Sequence, residues 1–131
     1  MLARGHFLTI EPDECRRLLD AASVGRVGWT SGEGIQVLPV NYAMSGDQIV
    51  FRVASGSVLE HLTEPNDVVF EVDDLDDETA TGWSVVARGR SGEFEGGMVA
   101  LPAAWAPGVR DVLVALTITS LSGRAVSSDA D

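Results

Sequence analysis

Six segments of alternating apolar and polar residues, each bounded by turn residues, restrict the fold of this chain more than any other feature. Alternation with a period of two is typical of a β-strand that buries one face. The predicted strands cover residues 24–30, 35–42, 48–53, 67–73, 82–95 and 111–122. No long helical pattern separates these strands, so a parallel sheet with crossover helices is excluded. The strands are therefore expected to pair antiparallel and to close into a barrel.

One longer helix is predicted before the first strand, over residues 12–22. Pro12 lies in its first turn, and acidic residues precede basic ones along it, which is the order that a helix dipole favours. Cys15, Leu18 and Leu19 give this helix an apolar face. Shorter helices are expected at residues 57–62 and within residues 96–104. The 131 residues are expected to form one domain, with a frayed tail at residues 127–131.

Charge and composition exclude several classes of function. The net charge of −11 argues against binding to nucleic acid or to anionic lipid, because both carry negative charge. No apolar run is long enough to span a bilayer and no signal-peptide pattern is present, so a cytoplasmic location is expected. His6, His61 and Cys15 are the only histidines and cysteine, so no zinc site is expected. The acidic run at residues 73–78 lacks the spacing of a calcium loop and is interpreted as a solvated connection.

The stretch from residue 35 to residue 62 contains the best local candidate for a binding site. Pro39, inside the first strand of this stretch, cannot donate to a ladder, so a bulge or an unpaired edge is expected there. Arg52 is near the end of the second strand, just before the turn Ser55-Gly56-Ser57. Its charge and the free N–H groups of the following helix would form a small anion site. The alternative is a surface arginine beside an ordinary capped helix.

An ordered series of short segments extends over nearly the whole chain. The segments are Val24-Gly25-Arg26-Val27, Val37-Leu38-Pro39-Val40-Asn41-Tyr42, Ile49-Val50-Phe51-Arg52, Gly56-Ser57, Phe70-Glu71-Val72-Asp73, Thr81-Gly82-Trp83-Ser84-Val85, Trp105-Ala106-Pro107-Gly108 and Ser122-Gly123-Arg124. In order and spacing the series resembles the pyridoxamine 5'-phosphate oxidase-like family of flavin-binding split-barrel proteins. The resemblance implies a mainly β fold, a six-stranded antiparallel split β-barrel with an N-terminal helix and short connecting helices. It also implies a homodimer that binds FMN, a deazaflavin or another flavin-like or tetrapyrrole-like ligand at the subunit interface.

The resemblance also implies roles for particular residues. The strand residues Val37, Leu38, Pro39, Val40 and Asn41 would lie along the isoalloxazine ring and offer it backbone groups. The phosphate would be held by Arg52, Ser55 and Ser57. The ring site would be closed by Trp83 and Ser84, from the partner subunit, and covered by Trp105. For each residue a structural alternative stays open: interface packing for the tryptophans, an ordinary strand position for Ser84, and an ion pair with Glu71 or Asp73 for Arg52.

One position departs from the family pattern and affects the cofactor. Relatives usually read Gly-Ser-Lys-Leu, with the lysine on the phosphate, whereas this chain reads Gly56-Ser57-Val58-Leu59. Loss of one charge-assisted contact would weaken FMN binding by roughly ten- to a hundredfold. The function predicted is an FMN-dependent oxidoreductase acting on a small molecule, with no catalytic side chain identified. The alternatives are a non-catalytic or FMN-deficient ligand-binding member of the fold and a deazaflavin-binding reductase.

Overall fold

The computed structural model describes residues 5–97 and 112–128, and its strands and helices lie within those ranges. The strands are β1 (Gly5–Ile10), β2 (Val24–Ser31), β3 (Gly34–Ser45), β4 (Gln48–Val53), β5 (Asp67–Asp76), β6 (Thr81–Glu93) and β7 (Val112–Ser128). Helix α1 spans Pro12–Ala21, and a 3₁₀ helix spans Val58–Thr63. The helices predicted at residues 12–22 and 57–62 and the six predicted strands are therefore present in this part of the chain.

The sheet closes on itself through antiparallel pairs only. Strands β2 to β7 form a ring in the order β7-β4-β3-β2-β5-β6, and β6 pairs back with β7. The N-terminal half of β7 pairs with β4, from Val112 opposite Val53 to Thr117 opposite Gln48. Its C-terminal half pairs on the same side with β1, from Gly123 opposite Ile10 onward. The predicted mainly β, six-stranded antiparallel split barrel is confirmed.

Alternate residues of the barrel strands fill one apolar core. The largest completely buried side chains include Phe51, Phe70, Ile49, Val27, Val85 and Leu116, each from a strand of the ring. Helix α1 closes the barrel with Cys15 and Leu19, as its predicted apolar face requires. The hydroxyl of Tyr42 donates to the carbonyl of Leu19 at 2.6 Å, so the polar tip of this core tyrosine is satisfied by the helix.

Three element boundaries differ from the prediction, each because of pairing between distant segments. Residues 5–10 form the strand β1, whereas the sequence predicts only an irregular entry segment there. Strand β5 continues to Asp76 because it pairs with β6 as far as Thr81, so the first half of the acidic run is in the sheet. Strand β7 continues to Ser128 because β1 supplies a partner, which corrects the expected start of the frayed tail at residue 127. The helical turns expected within residues 96–104 fall almost entirely outside the described residues.

The ladder between β6 and β7 is irregular at Gly89. The register of β6 against β7 shifts between Arg88 and Gly89, which is a bulge-like irregularity. A Cβ atom at Gly89 would overlap the carbonyl oxygen of Thr117. Only glycine allows the two backbones to approach this closely, so Gly89 fixes the place of this register shift.

Candidate functional site

Strand β3 has a ladder partner on only one side along its first half. Residues 34–41 pair with β2, whereas pairing with β4 begins at Tyr42, within the ranges that the structure describes. The N–H of Tyr42 donates to the carbonyl of Ser23 on the β2 side, at 3.0 Å. Because backbone N–H groups alternate along a strand, the nitrogens of Val37 and Pro39 face the open edge. Pro39 therefore costs no ladder bond, and of its two predicted settings the unpaired edge is confirmed and the bulge is not.

The side chains of β3 on the outer face make this open edge apolar. Ile35 is 80% exposed and Val37 is 60% exposed, while Leu38 and Val40 point inward and pack in or against the core. Pro39, which lies two residues after Val37 and on the same face, is also exposed. The five predicted ring-binding residues therefore divide, with Val37, Pro39 and Asn41 on the outer face and Leu38 and Val40 on the inner face.

Ile35 and Val37 form one wall of an open groove of ≈ 420 Å³. Gly28 and Val69 continue the groove across β2 and β5, because Gly28 pairs with both Val37 and Val69. Arg88, which pairs with Val69, lies at its far side. The missing side chain of Gly28 leaves a flat apolar floor, with a cation at one end, beside the open edge of β3.

Arg52 projects from the outer face of β4 near the same edge. It is exposed and forms no ion pair with any residue in the described ranges. Pairing between β3 and β4 ends at Tyr42–Phe51, so Asn41 and Arg52 are the next residues of the two strands beyond the last pair. Val37, Pro39 and Asn41 therefore lie on the outer face of β3, and Arg52 lies on the outer face of β4 just past the point where the two strands stop pairing.

The ion pair that was the structural alternative for Arg52 is formed by Arg26. Its guanidinium contacts the carboxylates of Glu71 at 3.1 Å and of Asp73 at 3.2 Å. These three side chains lie on the outer face of β2 and β5, where Arg26 pairs directly with Glu71. Arg52 is therefore left available for an external anion.

The turn before the 3₁₀ helix is occupied by the chain's own groups. The carboxylate of Glu60 accepts a hydrogen bond from the N–H of Gly56 at 2.8 Å and one from the hydroxyl of Ser55 at 3.5 Å. The N–H and the hydroxyl of Ser57 both donate to the carbonyl of Ala54, at 3.1 and 2.6 Å. Each of these turn donors, which were predicted to hold a phosphate, thus already has an acceptor within the chain.

Glu60 is the site residue that the sequence interpretation missed. The spacing Ser57-x-x-Glu60 is that of a capping box, in which an acidic side chain reaches back to an N–H at the start of its helix. In this turn the carboxylate reaches one residue further back, to Gly56, whose φ of +83° turns its N–H toward it. The capping-box spacing would have predicted a carboxylate on this turn.

Val58 begins the 3₁₀ helix with a side chain that is 43% exposed. No arginine replaces the family lysine near this position among the residues that line the adjacent groove, which are Gly56, Ser57, Glu60, His61, Thr63 and Glu64. The chain also contains no lysine anywhere, since all nine cationic residues are arginines. This groove of ≈ 330 Å³ is therefore lined by two carboxylates and no arginine or lysine.

Trp83 and Ser84 do not join this site within one chain. They are adjacent in β6, so their side chains point to opposite faces, and Trp83 packs against the core. Ser84 lines a different groove, on the outer face of β1, β6 and β7, with Phe7 and Arg124. Three strand spacings separate Ser84 from β3, which amounts to about 14 Å. Trp105 lies outside the described residues.

The ring of strands and the open edge of β3 together define a class of protein. A closed ring of six antiparallel strands, split where β3 leaves β4, is a split β-barrel with a ligand-sized open edge. Residues 11–125 match the pyridoxamine 5'-phosphate oxidase family, and the chain belongs to that family.

Individual relatives agree with this assignment. An FAD-binding protein from Mycobacterium smegmatis is similar in structure, with a TM-score of 0.71, 28% identity and coverage of 92% of this chain and 98% of that one. An FAD-binding protein from Mesorhizobium loti shares the fold, with a TM-score of 0.74, 24% identity and coverage of 95% and 99%. The uncharacterized protein Rv0080 from Mycobacterium tuberculosis is 35% identical over 89 residues, or 64% of this chain. The match spans only 59% of that relative's length.

Two further properties of the described ranges bear on ligands and location. No helix in residues 5–97 and 112–128 has the length and apolar character needed to cross a membrane. The same residues hold no cluster of three or more His, Cys, Asp or Glu side chains placed to bind a metal ion.

Proposed function

We propose that this chain binds a flavin along the open edge of β3 and serves as a flavin-dependent oxidoreductase for a small molecule. The observation that carries the proposal is the edge itself. Backbone groups of β3 without a ladder partner lie beside the exposed apolar side chains of Ile35 and Val37, and Arg52, on the adjoining strand β4, has no ion-pair partner among the described residues. A flavin offers a planar ring with polar edges and, in its phosphorylated forms, an anionic tail, and this edge offers a complement to each. The FAD-binding relative at 28% identity supports the same class of ligand.

The residues present fit the ring better than they fit a phosphate at the predicted turn. Val37 and Pro39 would pack against the ring, and the backbone nitrogen of Val37 faces the open edge to donate to it. Arg52 would hold an anionic group, since it has no ion-pair partner among the described residues. The roles of Ser55 and Ser57 stay predictions, because Glu60 and Ala54 already accept from their donors.

A bound flavin would supply the hydride or single-electron chemistry, as cofactors of this kind do. The chain would contribute binding, orientation and exclusion of water from the ring. No side chain is assigned as a general acid or base.

The finer parts of the proposal concern assembly and location. We propose a homodimer in which the partner subunit supplies Trp83, Ser84 or Trp105 to the ring, because one chain does not bring Ser84 to β3. FMN, the small-molecule substrate, the cytoplasmic location and the single-domain organisation stay predictions, as does the absence of nucleic-acid and membrane partners.

The experiment that tests flavin binding compares two substitutions at equally exposed apolar positions. Val37→Glu places a charge on the proposed ring surface, and Leu75→Glu places one at the far end of β5, where the side chain is 64% exposed. Riboflavin affinity, measured by quenching of flavin fluorescence, should fall by about tenfold or more in Val37→Glu and hardly change in Leu75→Glu. Equal responses, or no spectral change when FMN, FAD or riboflavin is added to the unmodified protein, would refute the proposal.

A second candidate function is favoured by one observation, the Glu60 carboxylate on the turn. A family member that has lost its phosphate contacts would keep the barrel and bind a different ligand without flavin chemistry. In that case none of the three flavins would bind, whereas an uncharged planar ligand would still bind in the groove beside Val37. A deazaflavin would instead give binding that resembles riboflavin in its dependence on Val37.

A further inference from the structure

We propose that Glu60 is an internal anion that sets flavin specificity, by keeping a terminal phosphomonoester off the turn Ser55-Gly56-Ser57. This inference rests on the proposed flavin binding and concerns which flavin is accepted. It predicts a preference for riboflavin over FMN. The turn that would hold the phosphate in relatives would in this chain repel it.

The hydrogen-bond donors of Gly56 and Ser57 in this turn already have acceptors within the chain. The Glu60 carboxylate accepts a hydrogen bond from the N–H of Gly56 at 2.8 Å. The carbonyl of Ala54 accepts hydrogen bonds from both the N–H and the hydroxyl of Ser57. A phosphate at this turn would have to replace the Glu60 carboxylate as the acceptor for Gly56 and the Ala54 carbonyl as the acceptor for Ser57. Since hydrogen bonds to charged groups are among the stronger ones in proteins, the exchange gives no net gain in contacts.

Negative charge would remain beside the phosphate after such an exchange. A displaced Glu60 stays tethered one helical turn away, and Glu64 lines the same groove. A phosphomonoester carries close to two negative charges at neutral pH, whereas riboflavin carries no phosphate charge. The repulsion from the two carboxylates is therefore larger for FMN than for riboflavin, and no arginine or lysine lines this groove to offset it.

The backbone that carries the Glu60 side chain is held by hydrogen bonds and by packing. The backbone of Glu60 is hydrogen-bonded in both directions along the helix. Its N–H donates to the carbonyl of Ser57 at 3.1 Å, and its carbonyl accepts from the hydroxyl of Thr63 at 2.8 Å. The next residue but one along the helix, Leu62, is completely buried. The Glu60 backbone is therefore held in place under its side chain, which keeps the carboxylate close to the turn.

The test measures FMN and riboflavin affinities in three proteins: the unmodified chain, Glu60→Gln and Glu64→Gln. The second substitution is the matched control, because Glu64 lines the same groove but its side chain accepts none of the turn's bonds. Glu60→Gln should tighten FMN binding by about tenfold and leave riboflavin binding nearly unchanged. Glu64→Gln should change the ratio of the two affinities much less, since a solvent-exposed charge acts weakly.

A second measurement separates this inference from the proposed function. Inorganic phosphate should raise the melting temperature of Glu60→Gln more than that of the unmodified protein, whether or not any flavin binds. If no flavin binds to any of the three proteins, the proposed function fails while the phosphate result still decides the role of Glu60. The inference is overturned if Glu60→Gln and Glu64→Gln give the same ratio of FMN to riboflavin affinity, or if phosphate stabilises all three proteins alike.

Discussion

At the scale of single residues, Glu71 is the carboxyl group whose pKa the fold shifts most among the residues that the structure describes. Partial burial on the outer face of β5 raises its pKa, and its hydrogen bond to Asp73 raises it further, while Arg26 opposes both. The net result is a pKa of about 7 in place of 4.5. The folded protein therefore binds more protons than the unfolded chain between these two values. The stabilisation that Glu71 contributes is fully present below pH 4.5 and is lost as the pH rises through about 7.

Glu71→Gln should remove most of that pH dependence. The glutamine keeps a hydrogen-bonding side chain beside Asp73 and Arg26 but no longer titrates. The free energy of unfolding, from urea denaturation at several pH values from 4.5 to about 7, should fall with rising pH less steeply in the variant than in the unmodified protein.

The control for this measurement is Asp67→Asn. The Asp67 side chain is 92% exposed and pairs with Arg90 at 2.9 Å, so it is a surface ion pair of small energetic weight. This variant should keep the slope of the unmodified protein. Identical slopes in Glu71→Gln and the unmodified protein would show that Glu71 titrates as an ordinary surface carboxyl.

At the scale of elements, the register shift between β6 and β7 at Gly89 gives a test that needs no ligand. Gly89→Ala would place a methyl group against the carbonyl oxygen of Thr117, with Leu116 also close. Because both neighbours belong to the paired strand β7, relief requires the two backbones to separate. The variant should lose about 1–3 kcal/mol of stability or fail to fold.

Gly92→Ala is the matched control, because it lies three residues further along the same strand and its added methyl group meets no atom within 4 Å. It should be neutral or slightly stabilising, since alanine restricts the unfolded chain more than glycine does. Comparable losses in both variants, measured by thermal unfolding, would mean that the close approach of β6 and β7 does not depend on Gly89.

At the scale of the whole molecule, the outer face of β3 predicts how the chain assembles. Ile35 and Val37 are 80% and 60% exposed, and Val69 extends their apolar surface across β5. A patch of this kind on a small barrel is typical of an interface between subunits. We expect an obligate homodimer with two-fold symmetry and a total interface above ~2,000 Å².

Ile35→Glu should therefore shift the protein toward monomer in sedimentation experiments, while Leu75→Glu should not. Leu75 is also an exposed apolar residue, 64% exposed, but it lies at the end of β5 away from this patch. If the unmodified protein sediments as a monomer at micromolar concentration, the predicted homodimer is wrong and the ring site must be complete within one chain.

Most of the barrel could be predicted from the sequence because its signals are local. A strand that buries one face needs a period of two, and this period is visible for β2 to β7 without knowledge of any partner. Pro12 and the order of charges likewise define the start of α1. The unpaired edge at Pro39 is also a local consequence, since a residue without an N–H must lie where no ladder bond is required.

The composition of the candidate site was only partly predictable, since each residue's role depends on which face it occupies and what lies opposite. Alternation places Leu38 and Val40 inside and Val37 and Pro39 outside once the inner face of β3 is known. The capping-box spacing of Glu60 was available in the sequence. Whether Trp83 and Trp105 complete the site stays a prediction.

What the sequence by itself determined is therefore the six strands β2 to β7, the N-terminal helix, the family and the fact that Pro39 cannot donate to a ladder. What only the tertiary structure decided is which distant groups meet. Arg26, and not Arg52, neutralises Glu71 and Asp73, β1 extends β7, and Ser84 lies three strands from β3. The physical reason is that strand periodicity is a property of neighbouring residues, whereas cross-strand register is set by the packing of the closed barrel as a whole.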